Sequence, residues 1–128
     1  MNKIAHIGIC VQSITKKIEL LTATVGVKHV FYAEMPERGQ RSAYVTLSGG
    51  DLLELMEPLG NDGAVASFLA KHGEGIHHLS FSVENAEETA AAFEAAGCQI
   101  VGRGQGIAFV HPKTSFGVLY ELVDNSYQ

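Results

Sequence analysis

The sequence predicts an α+β fold: two βαβββ modules whose strands form a curved mixed sheet. Two alternating strands, each with a histidine near its start, carry that prediction. In residues 75–83, Leu79, Phe81 and Val83 alternate with His78, Ser80 and Ser82, so the two sets fall on opposite faces of a sheet. One face is apolar and suited to pack on a helix; the other carries an imidazole beside two small residues. Residues 6–11 repeat the arrangement, with Ile7, Ile9 and Val11 on the apolar face and His6, Gly8 and Cys10 on the other. His6 and His78 are 72 residues apart, and Gly26 and Gly97, each placed to stop a helix, are 71 apart. Self-similarity at a near-constant offset marks an internal repeat.

Taken in order, the first module (about 3–58) opens with a strand at 4–11. Ser13 is placed to cap a helix running to about Val25, with Ile14, Ile18, Leu21 and Val25 on one face and Gly26 as its stop. Strand-like runs follow at about 28–33, 41–47 and 51–57, the last two joined as a hairpin through Ser48, Gly49 and Gly50. Residues 61–74 form a linker with one short helix starting near Asp62. The second module (about 75–124) repeats the order. After a strand at 77–83, Asn85 caps a helix, with Glu88 at capping-box spacing, Ala86, Ala90 and Phe93 on its inner face, and Gly97 as its stop. Strands at about 98–102, 106–111 and 116–123 complete it.

A length of 128 residues is that of one domain. Hydrophobic content of 46% and charged content of 18% belong to a globular chain, and a net charge of −5 argues against a nucleic-acid surface. No apolar run reaches the ~20 residues of a membrane helix. Residues 1–3 lack the apolar core of a signal peptide, which makes a cytoplasmic location the expectation. Cys10 and Cys98 read as free thiols.

The last strand of each module sets one carboxylate in an apolar run: Glu54 among Leu52, Leu53, Leu55 and Met56, and Glu121 among Val118, Leu119, Tyr120, Leu122 and Val123. Glutamate is depleted in strands and costly to bury alone, so a cation or metal is its usual partner. Glu54 and Glu121 are 67 residues apart, close to the histidine offset. Two histidines and two glutamates at matched positions define a ligand set of His6, Glu54, His78 and Glu121 around a metal site. Imidazole with carboxylate suits one divalent ion such as Zn, Co, Ni, Mn or Fe(II). His77 is in phase with Leu79 and Phe81 and reads as belonging to the helix-packed face. His29, His72 and His111 have no counterpart at the repeat offset and read as structural or exposed. Tyr120 faces away from Glu121 and reads as core.

At these residues the chain resembles the vicinal oxygen chelate (glyoxalase/bleomycin-resistance/extradiol-dioxygenase) superfamily, and within it the methylmalonyl-CoA epimerase family. The likeness runs through residues 4–9, 53–59, 75–78 and 109–113, the last ending in His111-Pro112-Lys113 before Gly117-Val118-Leu119-Tyr120-Glu121-Leu122. It implies that the metal ligands are His6, Glu54, His78 and Glu121. It implies a divalent-metal-dependent isomerase that abstracts an α-proton and stabilises the enolate of an acyl-CoA or other thioester, with Glu121 also serving as a base. Lys113 and Arg103 are then candidate contacts for the CoA phosphates or a carboxylate, and a homodimer is expected, formed through sheet edges or the linker helix.

Alternative readings are a lactoylglutathione lyase with the same four ligands, and a non-catalytic small-molecule-binding protein of the same fold. Two departures from the family pattern stand out. Residues 41–44 (Arg41, Ser42, Ala43, Tyr44) carry no carboxylate where some relatives have a second acid. Residues 101–106 are shorter than the family's usual glycine-rich loop.

Overall fold

A computed structural model describes residues 2–127. They form β1 (Lys3–Cys10), α1 (Ile14–Thr24), β2 (Val27–Met35), β3 (Gln40–Leu47), β4 (Leu52–Pro58), α2 (Ala64–His72), β5 (Gly75–Ser82), α3 (Ala86–Ala95), β6 (Ile100–Gly104), β7 (Ile107–Val110) and β8 (Tyr120–Val123). Short 3₁₀ turns at Pro36–Arg38 and Pro112–Thr114 interrupt the order. The two βαβββ modules are β1-α1-β2-β3-β4 and β5-α3-β6-β7-β8, with α2 between them in sequence.

By contacts the chain divides into two compact units. One comprises residues 7–77; the other comprises the N-terminal residues up to His6 together with the chain from His78 onward. In the first unit β3 pairs antiparallel with β2 and β4, and β1 runs parallel to β4 with Gly8 opposite Glu54. Val11, Ile14, Ala43, Val45 and Leu55 are fully buried, with Ile9, Ile18 and Leu21 packed on them from β1 and α1. Ser13 caps α1 by accepting from Lys16 N. Val25, expected on the inner face, is instead the helix C-cap and is exposed. Glu54 and Met56 alternate with Leu55 and so face the other way. On that face Cys10 and Met56 are covered by Val65 and Leu69 of α2. Small as its side chain is, Cys10 thus leaves no open space on this face.

The linker helix starts at Ala64, two residues later than its sequence suggests, because the chain before it crosses the turn after β2. Gly39 and Gly63 both have positive φ. A Cβ on Gly39 would lie 2.5 Å from the Asp62 carbonyl oxygen, and one on Gly63 would collide with that of Arg38. Only glycine suits both demands at once.

In the second unit β5 pairs parallel with β8, β8 antiparallel with β7, and β7 antiparallel with β6. Val83, Ala86, Ala90, Ala108, Val110 and Leu122 form its core, flanked by Phe81, Phe93 and Tyr120, as the apolar alternation predicts. Alanines at the inner positions of α3 let it approach the strands closely. Asn85 caps α3 by accepting from Glu88 N at 2.9 Å. The last strand begins at Tyr120, not near residue 116. The 3₁₀ turn at Pro112–Thr114 and positive φ values at Phe116 and Gly117 break the extended run. Likewise β6 starts at Ile100, since Cys98 N still bonds back to Phe93 O at the end of α3.

The repeat extends to tertiary ties that the hydrophobic pattern does not reveal. Three residues beyond Glu54, Glu57 Oε1 accepts from Ile14 N, the first residue of α1, at 2.8 Å. Three residues beyond Glu121, Asp124 Oδ2 accepts from Ala86 N, the first residue of α3, at 2.7 Å. Ile14 and Ala86 keep the histidine offset of 72 residues, as do the caps Ser13 and Asn85. In each module a carboxylate at the end of the last strand thus satisfies an orphan N–H at the helix N-terminus, where negative charge is also favoured.

Two outcomes follow from these ties. Glu57→Ala removes the acceptor for Ile14 N and the partner of Arg41. It is expected to cost about 1 kcal/mol in chemical denaturation, the scale of a lost N-terminal cap. The bonds from Ala86 N and from Ser126 hold the Asp124 carboxyl below its ordinary value. A group depressed in this way stabilises the fold above its unfolded pKa, and loses that contribution as pH falls through its folded one. Asp124→Ala should therefore melt below wild type at neutral pH, with the gap closing as the solution is acidified. A gap of constant size down the acid limb of a pH series of melting curves would show that charge on Asp124 is not what holds α3.

Candidate metal centre

Three strands bring one side chain each to a common point in the second unit. His6 lies on β1, His78 on β5 and Glu121 on β8, and one ligand atom from each lies within 4.8 Å of the others. The imidazole Nε2 atoms of His6 and His78 are 3.1 Å apart, and His6 Nε2 is 3.4 Å from Glu121 Oε1. The two rings meet edge to face, with centroids 5.2 Å apart and planes at 84°. His78 is buried, while the side chains of His6 and Glu121 are 13% and 14% exposed. The three groups are thus largely shielded from solvent.

This geometry fits a divalent ion. Two ligand atoms each about 2.0–2.1 Å from one ion are separated by about 2.8–3.0 Å at adjacent octahedral positions and about 3.3–3.4 Å at tetrahedral ones. The observed separations of 3.1 and 3.4 Å lie within the span of these values. Two nitrogen lone pairs facing each other beside a carboxylate repel unless a proton or a cation lies between them. The donor set of two imidazoles and one carboxylate suits Zn, Co, Ni, Mn or Fe(II).

Strand pairing explains why these residues meet. Across the parallel pair β5 and β8, Ser80 stands opposite Glu121, so His78, Ser80 and Glu121 share a face. Phe109 of β7 flanks Glu121 on its other side. Tyr120 points the opposite way and packs on Phe81 and Phe93, as expected of a core residue.

Glu54, expected from the sequence to join this set, belongs to the first unit. It is 6% exposed, and its Oε2 accepts from Ser42 Oγ at 2.9 Å; Ser42 Oγ in turn accepts from Gln40 Nε2 at 3.1 Å. All three are buried. Tyr44 stands opposite Glu54 across β3 and β4, as Phe109 does opposite Glu121. Cys10, opposite Met56 across β1 and β4, is fully buried in the same unit. Burial, reinforced by the charge of Glu54, pushes its thiol up to about 11, so it stays protonated at neutral pH and is a poor ligand.

The Pro-Lys and arginine contacts suggested for a CoA ligand fare differently. Arg103 is held against α3 by Glu94 at 2.7 Å and Glu87 at 2.8 Å, which raise its pKa. Its guanidinium is committed to those carboxylates. Lys113 is exposed on the 3₁₀ turn capped by His111, whose Nδ1 accepts from Lys113 N. His72 lies against Phe68, as does His77, 4.9 and 5.1 Å between ring centroids.

The pattern of the Glyoxalase/Bleomycin resistance protein/Dioxygenase superfamily matches residues 5–116, nearly the whole chain. The chain belongs to this superfamily. Among its relatives is the uncharacterized protein YqjC of Bacillus subtilis, 33% identical over 97% of this chain and 93% of that one. Another is the ethylmalonyl-CoA/methylmalonyl-CoA epimerase of Cereibacter sphaeroides, 28% identical over 95% and 97%. Among solved structures, a variant of Streptomyces coelicolor methylmalonyl-CoA epimerase bound to 2-nitronate-propionyl-CoA is 35% identical, with a TM-score of 0.81 over 95% of this chain and 93% of that one. Superfamily membership agrees with the doubled βαβββ order read from the sequence. The hydrophobic alternation puts Ser80 on the His78 face but gives no sign that it stands opposite Glu121, nor of Ser42, Tyr44 or Phe109 as neighbours of the site carboxylates. Their role depends on cross-strand register, which a linear pattern leaves open.

The site makes a direct prediction. Wild type is expected to hold one divalent ion per chain after purification, and His78→Ala, which removes a buried candidate ligand from the centre of the group, is expected to abolish it. Elemental analysis of both proteins checks this. Equal metal in the two would remove His78 from the site.

Proposed function

We propose that this chain is a divalent-metal-dependent isomerase of the methylmalonyl-CoA epimerase type, acting on the acidic α-carbon of an acyl-CoA thioester. The observation that carries the reading is the meeting of His6, His78 and Glu121 at metal-ligand spacing in a chain similar over 95% of its length to acyl-CoA epimerases. Glu54, paired with Glu121 by the sequence repeat, is the fourth ligand in this reading.

A bound divalent ion supplies positive charge against the negative charge that develops on the substrate's oxygens as the α-proton leaves. The chain's own groups divide the remaining work. His6 and His78 would hold the ion through their Nε2 atoms. Glu121 has the most exposed edge among the carboxylates of the set and accepts the α-proton within hydrogen-bond reach. The apolar side chain of Phe109 beside it keeps water from competing for that proton. Ser42 bonded to Glu54 fixes the buried carboxylate in one orientation.

A second reading, a lyase of the lactoylglutathione type, is favoured by one observation. Exchange on both faces of a carbon needs two acid/base groups, and residues 41–44 offer hydroxyls at Ser42 and Tyr44 but no carboxylate. We also propose a homodimer, with the metal site complete in each chain. No helix among the described residues is long and apolar enough to cross a membrane.

The metal-loaded protein in deuterated water should wash deuterium into C2 of methylmalonyl-CoA and interconvert its epimers, and leave the methylglyoxal–glutathione adduct unchanged. The reverse outcome would replace the first reading with the second. Glu121→Gln keeps the shape and one coordinating oxygen. It should retain part of its metal and lose α-proton exchange by ~10² or more, the scale of a lost general base. Exchange near the wild-type rate with metal bound would make Glu121 a ligand only.

A further inference from the structure

We propose that Ser80 is a positioning residue for the metal centre, its hydroxyl donating a hydrogen bond that holds the Glu121 carboxylate in its ligating pose. The inference rests on the reading of His6, His78 and Glu121 as ligands. Ser80 is 0% exposed, and among the described residues its Oγ is the buried side-chain polar atom with no hydrogen-bond partner. Buried hydroxyls are nearly always bonded, and leaving one unpaired costs stability, so such an atom signals a partner that arrives in another state of the protein.

Position identifies that partner. Ser80 is two residues beyond His78 on β5, so both side chains face the site. Directly across the parallel ladder from Ser80 stands Glu121. On the far side of Glu121 is Phe109, which offers no donor. The bond from Glu121 to His6 is long at 3.4 Å, which leaves the carboxylate loosely fixed. Neighbouring strands lie about 4.7–4.9 Å apart, so with both side chains on one face a change of rotamer at either can bring the two within hydrogen-bond reach. A carboxylate that ligates a metal is commonly steadied in this way by a hydrogen bond from a neighbour outside the ligand set. The adjacent small residue on the same face, Ser82, lies opposite Val123 and has no ligand beside it, so it serves as a control.

The hydroxyl thus costs stability in the metal-free protein and contributes only when the ion is bound, which gives opposite signs in two measurements. Ser80→Ala should melt at or above wild type without metal. It should bind Co(II) more weakly by ~10-fold or more in calorimetric titration, the usual effect of losing such a neighbour. The visible absorption bands of the Co(II) protein should shift with it, since they report how Glu121 sits on the ion. Ser80→Thr, which keeps the hydroxyl on a strand-favouring side chain, should restore both affinity and spectrum, and Ser82→Ala should change neither.

Co(II) affinity of Ser80→Ala within about twofold of wild type, far short of the 10- to 100-fold expected, would overturn the role of Ser80 and leave the metal site standing. Wild type that takes up no Co(II), Zn(II) or Mn(II) would overturn both together. Equal loss of affinity in Ser80→Ala and Ser82→Ala would also overturn the proposal, since it would mark a general loosening of β5.

Discussion

The parallel register of β5 and β8, with Ser80 opposite Glu121, is the constraint on which the site depends. Side chains alternate along a strand, so a slip of one residue would turn Glu121 into the core and Tyr120 toward His78. The core side of the same strands opposes that slip. Leu122 is fully buried, and Tyr120 is packed between Phe81 and Phe93. Beyond the strand, Asp124 is bonded to the first N–H of α3 and adds a second, polar check on the same register. The first unit meets the problem in the same manner. Gly8 opposite Glu54 sets the register of β1 and β4, Leu55 is buried on the helix side, and Glu57 is tied to α1. Candidate site carboxylate, core residue and helix tie follow one another within four positions at the end of each module.

That compression explains how much of the molecule its sequence makes legible. The alternation of His78, Ser80 and Ser82 with Leu79, Phe81 and Val83 encodes both strand and faces, because burial on one side is a property of period two. Glu54 and Glu121 stand out because a carboxylate in an apolar strand is costly, and the similar spacing of the two modules, 72 residues for the histidines and 67 for the glutamates, turns two odd residues into a pattern. Helix caps at Ser13 and Asn85 are readable for a local reason: the hydroxyl or amide bonds an N–H three residues on.

What escapes is whatever depends on residues distant in sequence. The late start of β8 follows from a 3₁₀ turn whose exit requires positive φ at Phe116, an apolar residue that reads as strand. Val25 fits the helical period but falls at the cap. Cys10 has small neighbours on its strand, yet Met56, Val65 and Leu69 close over it from elsewhere in the chain. Arg103, a natural candidate for binding an anionic ligand, is taken up by Glu87 and Glu94 of α3. Ser80 and Ser42 are small polar residues in strands, indistinguishable in sequence, yet one is fully hydrogen-bonded and the other buried without a partner.

The proposed chemistry requires a divalent ion between two imidazoles whose Nε2 atoms face each other at 3.1 Å. Anomalous diffraction from crystals of the protein loaded with Co(II), collected on either side of the cobalt absorption edge, tests that claim most directly. One strong peak is predicted per chain, about 2.0–2.2 Å from His6 Nε2, His78 Nε2 and a Glu121 oxygen. A peak seated on other residues, or full-strength cobalt in the crystal with none at this point, would contradict it.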